Sequence, residues 1–339
     1  MVKFIKMRAT IKDVAKKAGV SIATVSNVLS GKKYVSSSLI EKVNDALKTL
    51  NYQKNFVASN FRAQKFHNIG VVVPDIANPF FGGVVRSIEC ILDEKNYQMI
   101  LSNSNYDKIK EEMIIKDFIS TGKIDGLILI TPNYELVKKI ESEIPIVVVD
   151  HTPFENENNI FFVYSDNIKN SSIIAQFTYE KGYRHFAYIT GNNNINTSKI
   201  RLTGFRDQLK TYGVQEKDIL VRRGDLTFDM GYEVMLSILQ DYDPKNRMAV
   251  FISSDIMAWG ALEAIKSKGL SIPRDIGVIG FDDVFFSKFT NPKLTTFHNP
   301  GVMMASLATK LLVEQLSHTE EVFSQITLVP GELVERESL

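Results

Sequence analysis

Residues 10–31, TIKDVAKKAGVSIATVSNVLSG, read as two short helices joined by a tight turn. Thr10 and Asp13 stand three apart, the spacing of a capping box, so a helix starts at about Ile11. Ile11, Val14, Ala15 and Ala18 follow at helical spacing and give that helix one apolar face. Gly19 ends it, since glycine alone enters the left-handed C-terminal conformation without a steric cost. Ser21 is the next N-cap, and Val25, Val28 and Leu29 form the inner face of a second helix. Ile22, Ala23, Thr24, Ser26 and Asn27 are left on its outer, N-terminal part. A short helix, a glycine turn and a second helix that begins with small polar residues is a helix-turn-helix pattern, whose second helix fits the DNA major groove. The same periodicity also suits a plain helical hairpin, and charge separates the two readings. Residues 1–65 hold 13 Lys and Arg against 3 Asp and Glu, a net of +10. The remainder holds 27 against 36, a net of −9, which together give the +1 of the whole chain. A basic head on an acidic body implies a polyanionic partner.

Outward from that stretch, 339 residues exceed one ordinary core, so two or three domains are expected. An apolar content of 44% suits a globular protein, and no apolar run approaches the ~20 residues that span a bilayer. MVKFIKMRAT lacks the apolar core of a secretory signal, and Met7 is a second possible start. The single cysteine, Cys90, lies among Ile88, Ile91 and Leu92 and reads as buried filler. These features place the chain in the cytoplasm. Five scattered histidines and one cysteine give no metal-ligand spacing.

A third helix is expected from about Ser37 to Leu50, with Ser38 and Glu41 as its capping box. From Asn68 the pattern changes to β-branched runs alternating with amphipathic helices. The runs are 69–73, 97–102, 126–130 and 145–150, then 185–191, about 218–222, 248–254 and 275–283. Continuous apolar strands separated by helices mean parallel sheets covered on both faces. The series occurs twice, which gives two similar α/β units, with a late helix near 302–317 and a strand at 325–330 crossing between them.

DVAKKAGVSIATVSNVLSGKKYVS, EKVNDALKTLNYQKN, IGVVVPDIANPFF, GFRDQL and IGFDD together resemble the lactose-repressor (LacI) family of bacterial transcription regulators, over nearly the whole chain. The resemblance implies a small all-α helix-turn-helix head at residues 8–54 and a hinge helix or linker at 55–66. It implies next a two-lobed α/β core at 67–339, like a periplasmic binding protein, with parallel sheets and helices on both faces. The lobes are expected at about 68–165 plus 296–325, and 166–295 plus 326–339. The family role is a ligand-responsive regulator, most often a repressor, that binds a pseudo-palindromic operator as a homodimer or a tetramer. Ile22, Ala23 and Asn27 match base-reading positions, and an asparagine can bond an adenine edge at two points. Thr10, Ser21, Thr24 and Ser26 match phosphate-contacting or helix-start positions. Phe61 matches the hinge residue that wedges into the minor groove, although Lys54 stands where the family often has Pro.

Asp75, Asn78, Asp150, Asp166, Ser254, Asp255, Asp282 and Asp283 fall just after expected strands, where a cleft between lobes would collect them, and Arg201 opens a helix. Carboxylates, an arginine and aromatic faces suit a polyhydroxylated ligand, while single loop aspartates also serve as caps and turns. The resemblance selects Asn78, Phe80, Phe81, Asp150, Asp166, Arg201, Ser254, Asp255 and Asp282 as effector-binding, with Phe80 as the stacking ring. Leu226 stands where many members carry an aromatic, which favours a pentose or other small sugar over a purine. VDHTPF, RLTGF and TTFHNP look most like the ribose and purine repressor branch, so ribose is the first candidate, a purine or a corepressor protein the alternative. A transport-system sugar-binding protein would share the core but not the basic head. No phosphate-loop, dinucleotide, hydrolase-elbow or zinc-protease motif occurs, so neither catalysis nor a cofactor is expected.

Overall fold

The computed structural model describes residues 9–30, 34–52, 66–153, 159–191, 196–317 and 325–339. It divides into two compact units, residues 1–66 and 67–339. In the first unit α1 (Ile11–Ala18), α2 (Ile22–Ser30) and α3 (Ser37–Thr49) close on one small core. Val14, Val25 and Val43 are fully buried there, with Ala15 and Ala46 beside them. The Thr10 hydroxyl accepts from the Asp13 amide at 3.4 Å and the Asp13 carboxylate accepts from the Thr10 amide at 2.8 Å, so the expected capping box is formed. Gly19 caps the C-terminus at φ 66°. The box expected between Ser38 and Glu41 is not formed. The third helix begins at Ser37, after Ser36, which already places Ser38 inside the first turn.

The second unit is built on two six-stranded sheets. The first lobe contains β1 (Asn68–Val73), α4 (Pro79–Glu94), β2 (Gln98–Asn103), α5 (Lys108–Ser120), β3 (Gly126–Ile130), α6 (Tyr134–Val137), β4 (Ile146–Val149) and β5 (Ile160–Tyr164). The chain then crosses into α7 (Asn167–Glu180), β6 (His185–Thr190), α8 (Asn196–Thr211), β7 (Ile219–Arg223), α9 (Phe228–Gln240), β8 (Met248–Ile252), α10 (Asp255–Ser267), β9 (Ile276–Phe281) and β10 (Thr295–His298). It returns through α11 (Gly301–Leu316) and β11 (Ile326–Leu328) and ends at β12 (Glu332–Val334). The strand orders are β11-β5-β4-β3-β1-β2 and β12-β10-β9-β8-β6-β7. Every pairing is parallel except β10 with β12.

Both faces of each sheet are covered, which is why these strands read as unbroken apolar runs rather than alternating ones. Val71 and Val73 pack against Val84, Ile88 and Leu92 of α4 and Met304, Ala308 and Leu312 of α11. Val72 faces the other way, towards Ile115 and Phe118 of α5. Cys90 is exposed rather than buried, because the inward stripe of α4 runs through Ile88 and Leu92 and leaves position 90 outside it. The crossings also fall elsewhere than expected. Residues 296–298 stay in the second sheet, where β10 pairs with β9, and Ile326–Leu328 returns to the first, beside β5.

Candidate functional site

In the first unit, α2 turns its N-terminal half outward. Ile22, Ala23 and Ser26 are exposed, while Val25 lies in the core. The Ser21 hydroxyl accepts from the Thr24 amide at 3.0 Å and lies 2.9 Å from the Thr24 hydroxyl, so both stand at the helix start. Lys12, Lys16 and Lys17 are exposed on α1. Phe61 and Lys54 lie outside the described residues.

In the second unit, the carboxyl ends of the strands meet in a cleft between the lobes. It is lined from the first lobe by Asn78, Phe80, Phe81, Tyr106, Thr131 and Asp150, and from the second by Ser198, Arg201, Leu226, Ser253, Ser254 and Asp282. Local structure sets each of these. Asn78 caps α4 and accepts from the Phe80 amide at 3.0 Å, which holds Phe80 and Phe81 at the mouth of the helix. Gly301 lets α11 start directly against the Phe80 ring, since a Cβ there would lie 2.6 Å from it. Asp150, Leu226 and Asp282 end or follow their strands with φ of 55°, 74° and 109°. L-residues rarely adopt such angles, and their clustering at one cleft marks a strained, functional turn set.

Arg201 is only 5% exposed and is held on every side. Its Nε donates to Asn167 at 2.7 Å, one terminal nitrogen donates to the Ser253 carbonyl at 2.8 Å, and the other stands 4.0 Å from the Asp150 carboxylate. Its guanidinium plane lies 3.6 Å from the centre of the Phe281 ring. Asn299, on the crossing from β10 to α11, donates its amide to Asp150 at 3.3 Å and to Asp282 at 3.4 Å, one carboxylate from each lobe. Burial pushes both carboxyls above the ordinary aspartate range. Arg201 opposes that for each of them, and for Asp282 the neighbouring carboxylates Asp255 and Asp150 add to the rise. Among the described residues, the Tyr106 hydroxyl, one Asp150 oxygen, the Ser253 hydroxyl and the Asn299 carbonyl are buried with no hydrogen-bond partner. Buried polar atoms are normally paired, so four orphans around one cleft describe a site shaped for a polar ligand.

Of the nine effector positions drawn from the sequence, seven line this cleft. Asp166 does not. It caps α7, accepting from the Lys169 amide at 3.0 Å. Asp255 does not either: it is buried beneath the floor, taking hydrogen bonds from the Ser287 and Thr296 hydroxyls and the Val284 amide. Asp283 turns away into a pair with Arg336 and His298, and Asp75 caps its own turn at Ala77. Sequence reading missed Tyr106, Thr131, Asn167, Ser253 and Asn299. The signal for Asn299 was present in TTFHNP, a polar residue between the end of a strand and the start of a helix.

A family model described as "Bacterial regulatory proteins, lacI family" matches residues 10–55, and one described as "Periplasmic binding protein-like domain" matches residues 175–339. The ribose operon repressor of Escherichia coli strain K12 is 31% identical over 327 residues, covering 95% of this chain and 97% of its own. The lac repressor dimer bound to operator and an anti-inducer superposes with a TM-score of 0.85 at 24% identity, covering 98% of this chain and 99% of that one. A LacI-family transcriptional regulator from Enterococcus faecium with bound ribose superposes with a TM-score of 0.70 at 25% identity, over 80% of this chain and 98% of that one.

Proposed function

The chain belongs to the lacI family of bacterial regulatory proteins, a ligand-responsive DNA-binding transcription repressor, and from that premise we propose that it senses a small sugar in the cleft between its lobes, ribose first among them. The observation that carries this is the cleft itself, where Arg201, Asp150 and Asp282 converge from two lobes across Asn299 and four buried polar atoms have no partner. Hydroxyl groups of a sugar supply both the donors and the acceptors such a site lacks. The E. faecium relative of the same fold holds ribose. Lobe closure on the ligand would change the protein's state only if the ligand binds the open and closed arrangements unequally.

On the DNA side, the reading surface is the exposed start of α2, with Ile22, Ala23 and Asn27 towards base edges and Thr10, Ser21, Thr24 and Ser26 towards phosphates. Phe61 would serve as the minor-groove wedge. Two copies would bind the two halves of an operator. No described helix is long and apolar enough to cross a membrane, and a DNA-bound repressor works in the cytoplasm.

The test is calorimetric titration of the full chain with ribose, other pentoses and hexoses, and purines. Ribose binding with a dissociation constant in the micromolar range, lost in Arg201→Ala, supports the reading. Binding of a purine with no response to sugars would replace it. Operator affinity should also fall steeply between ~50 and ~200 mM salt, the mark of phosphate contacts made by a basic head.

A further inference from the structure

We infer that the cleft selects an uncharged polyol and rejects the phosphate ester of the same sugar, an inference that rests on the sugar-sensing reading above. The reason is the balance of charge and hydrogen-bonding atoms among the lining residues. Among the described residues, Arg201 is the one basic residue that lines the cleft, and two aspartates, Asp150 and Asp282, face it. Its charge is committed within the protein: Asn167 and the Ser253 carbonyl take two of its donors, Asp150 lies beside a third, and Phe281 covers its face. Lys199, two residues earlier on α8, is exposed and does not line the cleft.

The unpartnered atoms point the same way. Asn299 Oδ1 can only accept, Asp150 Oδ1 accepts when the carboxyl is ionised, and the Tyr106 and Ser253 hydroxyls can do either. A ligand that satisfies them must bring several hydroxyl donors. A phosphate brings three acceptor oxygens and a charge of about −1.5 to −2 at neutral pH. Placed among these groups, it would bring acceptors to the Asp150 and Asp282 carboxyls and find no uncommitted cation among the described residues. A phosphate beside them costs either like-charge repulsion or the uptake of a proton by a carboxyl, and one unit of like charge at ~6 Å sets the scale at roughly a hundredfold in affinity.

The experiment is calorimetry of the full chain at pH 7.5 with two matched pairs, ribose against ribose 5-phosphate and adenosine against adenosine 5′-monophosphate. The expected result is ribose at least ~100-fold tighter than its phosphate. In Asp150→Asn the ratio should narrow, because one repelling charge is gone while asparagine still tolerates the positive φ of that position. Ribose 5-phosphate binding as tightly as ribose, or more tightly, overturns the inference and leaves the sugar reading standing. If only the adenosine pair binds, the sugar reading fails. The charge argument then survives with the nucleoside the tighter of that pair and is overturned with the nucleotide the tighter. Binding by neither pair overturns both.

Discussion

Asp255 shows what a single residue's position can and cannot reveal. From the sequence it is a polar residue just past a strand and therefore a ligand contact. Whether such a residue turns into the cleft or beneath it is decided by three distant partners, Val284, Ser287 and Thr296, which no local pattern exposes. Asp282 was legible by the same rule because its surroundings leave it facing the cleft, whereas Arg201, inside a helix, was legible only through the family resemblance. Burial raises the Asp255 carboxyl to about 7, against the pull of Ser287, Thr296 and Val284. The folded chain therefore keeps a proton that the unfolded chain, releasing near 3.8, has lost. Asp255 then makes stability fall as pH rises from ~4 to ~7, with no further loss above that window. Denaturant unfolding at pH 4.5 and pH 7.5 should show this component, and Asp255→Asn should flatten it. An unchanged difference in the variant would mean that other buried carboxyls, Asp150 and Asp282 above all, carry the whole slope. At the cleft, Arg201→Ala leaves Asp150 and Asp282 without their counter-charge. We expect no measurable ribose binding by calorimetry, with a loss of at least ~100-fold.

The elements that were readable carry their own termini. The first helix has a box at Thr10 and Asp13 and a glycine stop, and both form as spaced. Thr10→Ala should cost about 1 kcal/mol of head stability, and weaker operator binding at raised temperature would report it. The elements that were not readable, β5, β10, β12 and α6, are short or cross between lobes. Their places are set by partners far along the chain, as in the pairing of Thr296 with Val334. Close helix contacts were equally hidden. A Cβ on Gly231 would lie 2.2 Å from the Met257 carbonyl oxygen, and one on Gly260 2.1 Å from that of Phe228. Here α9 and α10 touch backbone to backbone, and a rigid carbonyl cannot yield as a side chain would. Gly231→Ala should therefore cost on the order of 2 kcal/mol or more in denaturant unfolding, against a small gain expected for glycine to alanine in an open helix. A neutral result would show that the two helices can separate at little cost.

At the scale of the whole molecule, the duplicated strand-and-helix series and the basic head were enough to give two lobes and a separate DNA-binding unit. What the series could not show is which outer faces stay uncovered. In the second lobe Phe285 and Phe289 are 62% and 65% exposed, and Phe286 packs edge-on to Trp259. In the first lobe Ile109 and Met113 project from α5 beside the edge strand β2. Aromatic rings left in water on one lobe and aliphatic side chains on the other are costly for a lone chain, and a second copy that buries both lobes would remove that cost. Replacing Phe285 and Phe289 by aspartate puts charge at that contact without touching either the cleft or the head. Sedimentation should then show a monomer, where a dimer is the expected result for the parent chain. Ribose affinity should stay within ~3-fold, while affinity for a full operator falls towards that for a half-site, because two heads on one particle gain from effective concentration and two free heads do not. A variant that still sediments as a dimer would move the contact to the face formed by β2 and α5, where Met113→Asp is the matching test.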